Sequence, residues 1–249
     1  MSAPRGHDPP PSANDENEPR DFVKYTFFHL RPEWRRLPRS ERDAGKVRFA
    51  SVLETPPEGV LLRTYSLTGL KADAEMMVWS IATELAPIQE LHARLLGSPL
   101  GGYLDTAYSY LGMARRSEYV GAVGAHAHGG EGGETHRRPF DLPYLFVYPF
   151  VKKREWYGIP FEERRRIMGE HFRIGHKYPK VRIHTGYSFG IDDAEFILSF
   201  EAETPAEFLD LVSDLRPTEA SRFTELETPI FTCVLTPPAR MLDLADGLP

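Results

Sequence analysis

The sequence predicts an α+β protein in which one β-α-β-β-α-β unit is used twice, and three observations carry that prediction. Strand-like and helix-like runs alternate in the same order in both halves of the 249-residue chain. Adding 122 to the numbering carries Glu33-Trp34-x-x-Leu37-Pro38-x-x-Glu41-Arg42 onto Glu155-Trp156-x-x-Ile159-Pro160-x-x-Glu163-Arg164, and Tyr65-Ser66-Leu67 onto Tyr187-Ser188-Phe189. At a slightly shorter offset, Asp73-Ala74-Glu75 recurs as Asp193-Ala194-Glu195, and the helix opening at Pro87 recurs near Pro205. Two copies in one order at nearly one offset mark an internal repeat. Each copy is a ferredoxin-like unit, and two such antiparallel sheets set side by side can close into one barrel with helices outside.

Residues 1–20 are rich in Pro, Ser, Asp, Asn and Glu and nearly free of bulky apolar side chains, so they read as a disordered tail. The first repeat spans 21–114. Phe22-Val-Lys-Tyr-Thr-Phe-Phe-His-Leu30 is aromatic and β-branched, hence a strand. Pro38 suits the opening of a helix that runs to about Leu53, with Val47, Ala50, Ser51 and Leu53 as its apolar stripe. Strands follow at Gly59–Tyr65 and Ala74–Ile81, then a helix from Pro87 to Leu96 and an aromatic strand from Tyr103 to Met113. Residues 115–142 form a Gly- and His-rich linker with neither helical nor strand period, which in a compact protein is usually functional or mobile.

The second repeat, 143–236, contains the strand Tyr144–Phe150, a helix from about Phe161 to Gly175, and strands around Tyr187–Asp193 and Ile230–Leu235. Residues 237–249 are a C-terminal tail.

A net charge of −6 disfavours a general nucleic-acid or membrane-surface role. No apolar run approaches the roughly 20 residues of a membrane span. The N-terminus lacks a signal-peptide pattern, and the single cysteine, Cys233, lies in a strand as a buried thiol. A cytoplasmic protein fits these features.

Candidate chemistry concentrates in the second copy. Ile167, Met168, His171 and Ile174 share one helical face, with Arg164, Arg165, Glu170 and Arg173 mainly elsewhere. Phe49 occupies the first-copy position of His171. An imidazole there serves either as a metal or haem ligand or as a hydrogen-bonded core histidine. Tyr144, Phe146, Tyr148 and Phe150 share one face of a strand by period 2, and Lys152 continues that face to a strand end where it could meet an anion. His126, His128 and His136 offer imidazoles in the linker, but without cysteine or preorganisation for a structural zinc site. Covalent haem attachment, phosphate-loop, zinc-protease and Gly-x-Ser-x-Gly signatures are absent.

Tyr148-Pro-Phe-Val-Lys-Lys-Arg-Glu-Trp-Tyr157, Pro160-x-x-Glu-Arg-Arg, His171, Lys177-Tyr178 and Gly190-Ile-Asp-Asp193 together resemble the chlorite dismutase superfamily, and within it the actinobacterial coproheme decarboxylases. The resemblance covers nearly all of Phe22 to Val234. It implies a dimeric α+β barrel, a homopentamer, and peroxide-dependent oxidative decarboxylation of iron-coproporphyrin III (coproheme) to haem b. That is the last step of the coproporphyrin-dependent route to haem. Carried over by position, it makes His171 the proximal iron ligand, Tyr148 the redox-active tyrosine and Lys152 a propionate partner, with Trp156 near the porphyrin. Ile183 stands where chlorite dismutases carry a distal arginine and Firmicutes-type decarboxylases a glutamine; Arg182 should face the other way. The actinobacterial arrangement has a small apolar residue there and a distal linker histidine, here His126 or His128. Chlorite dismutation, a non-enzymatic haem carrier and a linker-histidine metal site are the alternatives.

Overall fold

The computed structural model describes residues 19–119 and 136–248. The expected tail at 1–20, apart from its last two residues, lies outside the described residues, as do His126 and His128. The first copy contains β1 (Phe22–Leu30), α1 (Arg39–Glu54), β2 (Leu61–Ser66), β3 (Met76–Ala82), α2 (Leu85–Leu96) and β4 (Leu104–Met113). In the second, β5 (Tyr144–Lys152) leads through a short α3 (Arg154–Gly158) to α4 (Phe161–Gly175), β6 (Arg182–Tyr187) and β7 (Phe196–Ala202). After these come α5 (Pro205–Leu215), a short β8 (Thr224–Leu226), β9 (Phe231–Leu235) and α6 (Pro238–Ala245). No described helix is long and apolar enough to cross a membrane.

Eight strands close a ring. The order β7-β6-β4-β1-β3-β2-β9-β5 returns to β7 through the β5–β7 ladder, while β8 pairs along the end of β5. Each copy therefore supplies four neighbouring antiparallel strands, and the copies meet at two seams. One seam is the pair Met113↔Tyr187; the other is Tyr65↔Leu235 with Ser66↔Val234. The 122-residue offset carries Met113 onto Leu235 and Tyr65 onto Tyr187, so the seams are related by the repeat itself.

The β4–β6 seam is tight. A Cβ on Gly112 would lie 3.1 Å from the Gly186 backbone and 3.0 Å from Ser188 Oγ. The Gly190-Ile-Asp-Asp193 stretch supports it: Asp192 Oδ2 accepts from Leu111 N at 2.6 Å, and Ser188 Oγ donates to Leu111 O at 2.8 Å. Gly190 has φ +69°, a conformation costly for a residue with a Cβ.

Strand alternation sends one set of side chains into the barrel and the other toward the helices. Tyr25, Phe27, Tyr65, Trp79, Leu145 and Phe231 are among those filling the interior. Cys233 is buried there as expected, and burial pushes its thiol well up. On the outer face of the first copy, Phe49, Leu53, Leu91 and Leu95 pack against Phe28 and Val78.

Two expectations change here. Val47 is 68 % exposed, and α1 instead buries Gly45, Lys46, Phe49, Ala50 and Leu53. Residues 237–249, expected as a tail, include α6, which lays Met241, Leu242 and Ala245 onto the first copy's core. Its grip is electrostatic as well: Arg42 Nη1 meets Asp246 Oδ1 at 2.5 Å, and Lys46 Nζ meets Asp243 Oδ1 at 2.6 Å.

Candidate functional site

The second copy has the same two-layer plan but leaves a cavity of about 430 Å³ between its helices and the outer face of β5, β6 and β7. Period-2 alternation explains the sheet wall, which carries Tyr148, Phe150 and Lys152 from β5, Ile183 and Thr185 from β6, and Leu198 and Phe200 from β7. His171, Met168, Phe172 and Arg164 of α4 line the facing wall, with Trp156 of α3 at one side. In the first copy Phe49 fills the position corresponding to His171, fully buried, and α6 roofs the layer. One repeat is a packed core; the other is a pocket.

Five residues singled out by the sequence therefore converge on one cavity: Tyr148, Lys152, Trp156, His171 and Ile183. His126 and His128 lie outside the described residues. His136 is held by Asp21, with Nδ1 3.1 Å from Oδ1. Among the described residues no three His, Cys, Asp or Glu side chains are placed to share an ion. Arg182 does not line the cavity and instead stacks its guanidinium 5.1 Å from the Phe140 ring centroid.

Tyr148 is 8 % exposed and stacks on Phe200 with ring centroids 5.9 Å apart. Burial pushes its phenol well above the usual range, reinforced by the carboxylate of Glu227. Among the described residues its hydroxyl makes no hydrogen bond. Lys152 is half-buried, with Nζ 4.5 Å over the Trp156 ring and donating to Ala220 O at 3.3 Å. Burial lowers its pKa to about 8, against an opposing pull from Glu195.

Glu195 links sheet and helix. Its Oε2 accepts from Lys152 N at 2.8 Å and from Tyr157 Oη at 2.6 Å. In the first copy Glu75 Oε2 accepts from Leu30 N at 2.9 Å. The repeated Asp-Ala-Glu thus secures the end of the first strand in both copies, and the second copy adds a tyrosine from the cavity wall.

Sequence reasoning missed the rim. Both ends of the linker reach it: Arg115, Glu118 and Tyr119 before residue 120, and Arg137 after residue 135. Arg115 lies over the Tyr187 ring at 5.5 Å, and Arg137 Nη2 donates to Thr185 O at 3.1 Å. Arg164, expected away from the His171 face, lines the same cavity and meets Glu118 at 3.2 Å. Arg216, from the turn after α5, pairs with Glu227. With Lys152, five cations and two carboxylates line the cavity, so its balance favours an anionic ligand. The adjacent pairs Arg115-Arg116 and Arg137-Arg138, one at each end of the linker, were the available signal for this rim.

Residues 42–236 match the chlorite dismutase family. The chain belongs to that family. It is 37 % identical over 178 residues to the coproheme decarboxylase of Mycolicibacterium smegmatis, covering 70 % of this chain and 73 % of that one. A variant of the chlorite dismutase of Candidatus Nitrospira defluvii superimposes with a TM-score of 0.83 at 24 % identity, over 92 % of this chain and 97 % of that one. A haem-binding protein of Thermus thermophilus superimposes with a TM-score of 0.78 at 22 % identity, over 92 % and 96 %. At those identities the structural likenesses establish the fold: this member of the chlorite dismutase family is a dimeric α+β barrel built from two ferredoxin-like repeats.

Proposed function

We propose that this chain binds iron-coproporphyrin III and uses hydrogen peroxide to convert two of its propionates to vinyl groups, giving haem b. The observation that carries the reading is the convergence of His171, Tyr148 and Lys152 on one largely apolar cavity rimmed with cations. These residues fit an iron porphyrin. His171 offers a ring nitrogen for the metal, the aromatic and aliphatic walls suit a macrocycle, and the cations suit its carboxylates. Similarity to a coproheme decarboxylase supports the same substrate.

The bound iron porphyrin is itself the substrate and supplies the peroxide-reactive metal. Each propionate loses CO2, one proton and two electrons as it becomes a vinyl group. One peroxide accepts those electrons and, with two protons, leaves as two waters. The chain's part is to hold and move hydrogen. Tyr148 Oη keeps its proton through neutral pH because burial disfavours the phenolate. Once oxidised, that tyrosine takes a hydrogen atom from a propionate β-carbon and returns to the phenol. Its stacking on Phe200 fixes the ring for this exchange. Lys152, held over Trp156, orients a propionate. His126 or His128 is the proposed proton acceptor for peroxide, and Ile183 keeps the neighbouring wall apolar. A cytoplasmic homopentamer is part of the same proposal, and the solution mass measured by light scattering checks the assembly.

The deciding experiment is Tyr148→Phe with coproheme and peroxide. The variant is expected to bind coproheme with an unchanged Soret band and to lose haem b formation by at least about 100-fold, the scale of removing a participating group. Wild-type turnover in the variant would overturn the reading. Rapid O2 release from chlorite by the wild type, without haem b formation, would favour chlorite dismutation instead.

A further inference from the structure

We propose that Arg164 binds a carboxylate of the ligand in this cavity, in competition with Glu118. The proposal rests on the cavity being a porphyrin site. Arg164 precedes His171 by seven residues on α4, two helical turns and about 10 Å along the axis, which puts both on one face. Both line the cavity. A macrocycle held near His171 and lying along α4 would bring its carboxylate-bearing edge toward Arg164.

The guanidinium is used on one nitrogen alone. Nη1 donates to Glu118 Oε1 at 3.2 Å and to Tyr119 Oη at 3.3 Å. Nε is buried without a hydrogen-bond partner, and among the described residues Nη2 makes no hydrogen bond. The Nε–Nη2 edge is the one that takes a carboxylate through two parallel hydrogen bonds. The side chain is only 12 % exposed and lies over the Phe161 ring at 5.5 Å, while Tyr119 stacks on that ring at 5.9 Å. The fork is thus held in position before a ligand arrives.

The repeat separates this role from a structural one. Arg42, the first-copy counterpart, also uses Nη1 on a carboxylate, Asp246, and also buries Nε without a partner. There α6 covers the helix, and the arginine clamps one element to another. Arg164 keeps that clamp on the chain segment at Glu118, and opening of the second copy's core places its guanidinium on a cavity wall.

The test is fluorescence titration of the full chain with two iron-free porphyrins, coproporphyrin III with four carboxylates and mesoporphyrin IX with two. Arg164→Gln should weaken coproporphyrin binding roughly tenfold or more while leaving mesoporphyrin within about twofold, the scale of one charge-assisted pair. Glu118→Gln should tighten coproporphyrin binding, because it removes a competing negative charge. Arg164→Lys retains the ion pair to Glu118 but not the planar fork, and should lose about threefold or more. It also serves if the glutamine variant fails to fold. Equal weakening of both porphyrins by Arg164→Gln and Glu118→Gln would assign a clamp and overturn the proposal. Unchanged coproporphyrin binding in folded Arg164 variants would overturn it too. If the wild type binds neither porphyrin, the substrate reading itself falls and this proposal with it.

Discussion

Lys152 shows how burial and function pull on one side chain. Its ammonium sits over Trp156 with a carbonyl as its hydrogen-bond partner, and burial brings its pKa down to about 8. Between about 8 and its ordinary 10.5 the unfolded chain carries a proton that the folded chain lacks, so this group makes folding more favourable as pH rises through that window. Carboxylate binding has the opposite sign, because only the protonated form attracts an anion. Coproporphyrin III affinity is therefore expected to fall as pH rises through about 8, with a slope that Lys152→Met removes. Parallel titration curves for wild type and variant between about pH 7 and 9.5 would contradict this. The position of Lys152 on the Tyr148 face was legible from strand alternation, and both side chains line the cavity despite the register irregularity between Val151 and Lys152. Arg164 was not, because a stripe defined by apolar residues leaves out a cation whose stem packs with them.

At the scale of elements, the helices that begin after Pro38 and Pro160 follow the repeat closely, since each proline sits where a missing N–H costs nothing. The seams were less visible in the sequence. Their backbone pairing amounts to one and two residue pairs, so no long pattern of alternation marks them. They depend on small residues and side-chain hydrogen bonds. Gly112→Val would force its new Cβ and methyl groups into Gly186 and Ser188. Its cost is expected to be about 1–3 kcal/mol in a denaturant titration, as for other overpacked sites. Gly102→Ala, where a Cβ meets nothing within 4 Å, is the matched control and should change stability little. A Gly112→Val variant as stable as wild type would show that the seam yields more readily than its distances imply.

Over the whole molecule, one repeated plan serves two ends. The first copy spends its space on Phe49 and a roof, and the second on His171 and a ligand cavity. The roof escaped sequence reading because α6 opens on the pair Pro237-Pro238 and its buried apolar face is only Met241, Leu242 and Ala245. Asp246, whose side chain is fully buried, accepts from Arg42 and lies 3.4 Å from Lys46. Asp246→Ala leaves those cations without that buried carboxylate and is expected to cost about 3 kcal/mol or more, read as a lower unfolding midpoint. Porphyrin affinity of the folded variant should stay within about twofold, since the cavity belongs to the other copy. Loss of both together would mean that the two copies are coupled more tightly than their separate cores imply.

The helix that roofs the first half comes after both repeats in the chain. On the ribosome, the part of the opening repeat's apolar layer that Met241, Leu242 and Ala245 cover stays open until residues 238–245 have emerged. While the second repeat is being made, the first therefore keeps an apolar patch that chaperones can engage, and that engagement should be relieved once α6 is free to dock.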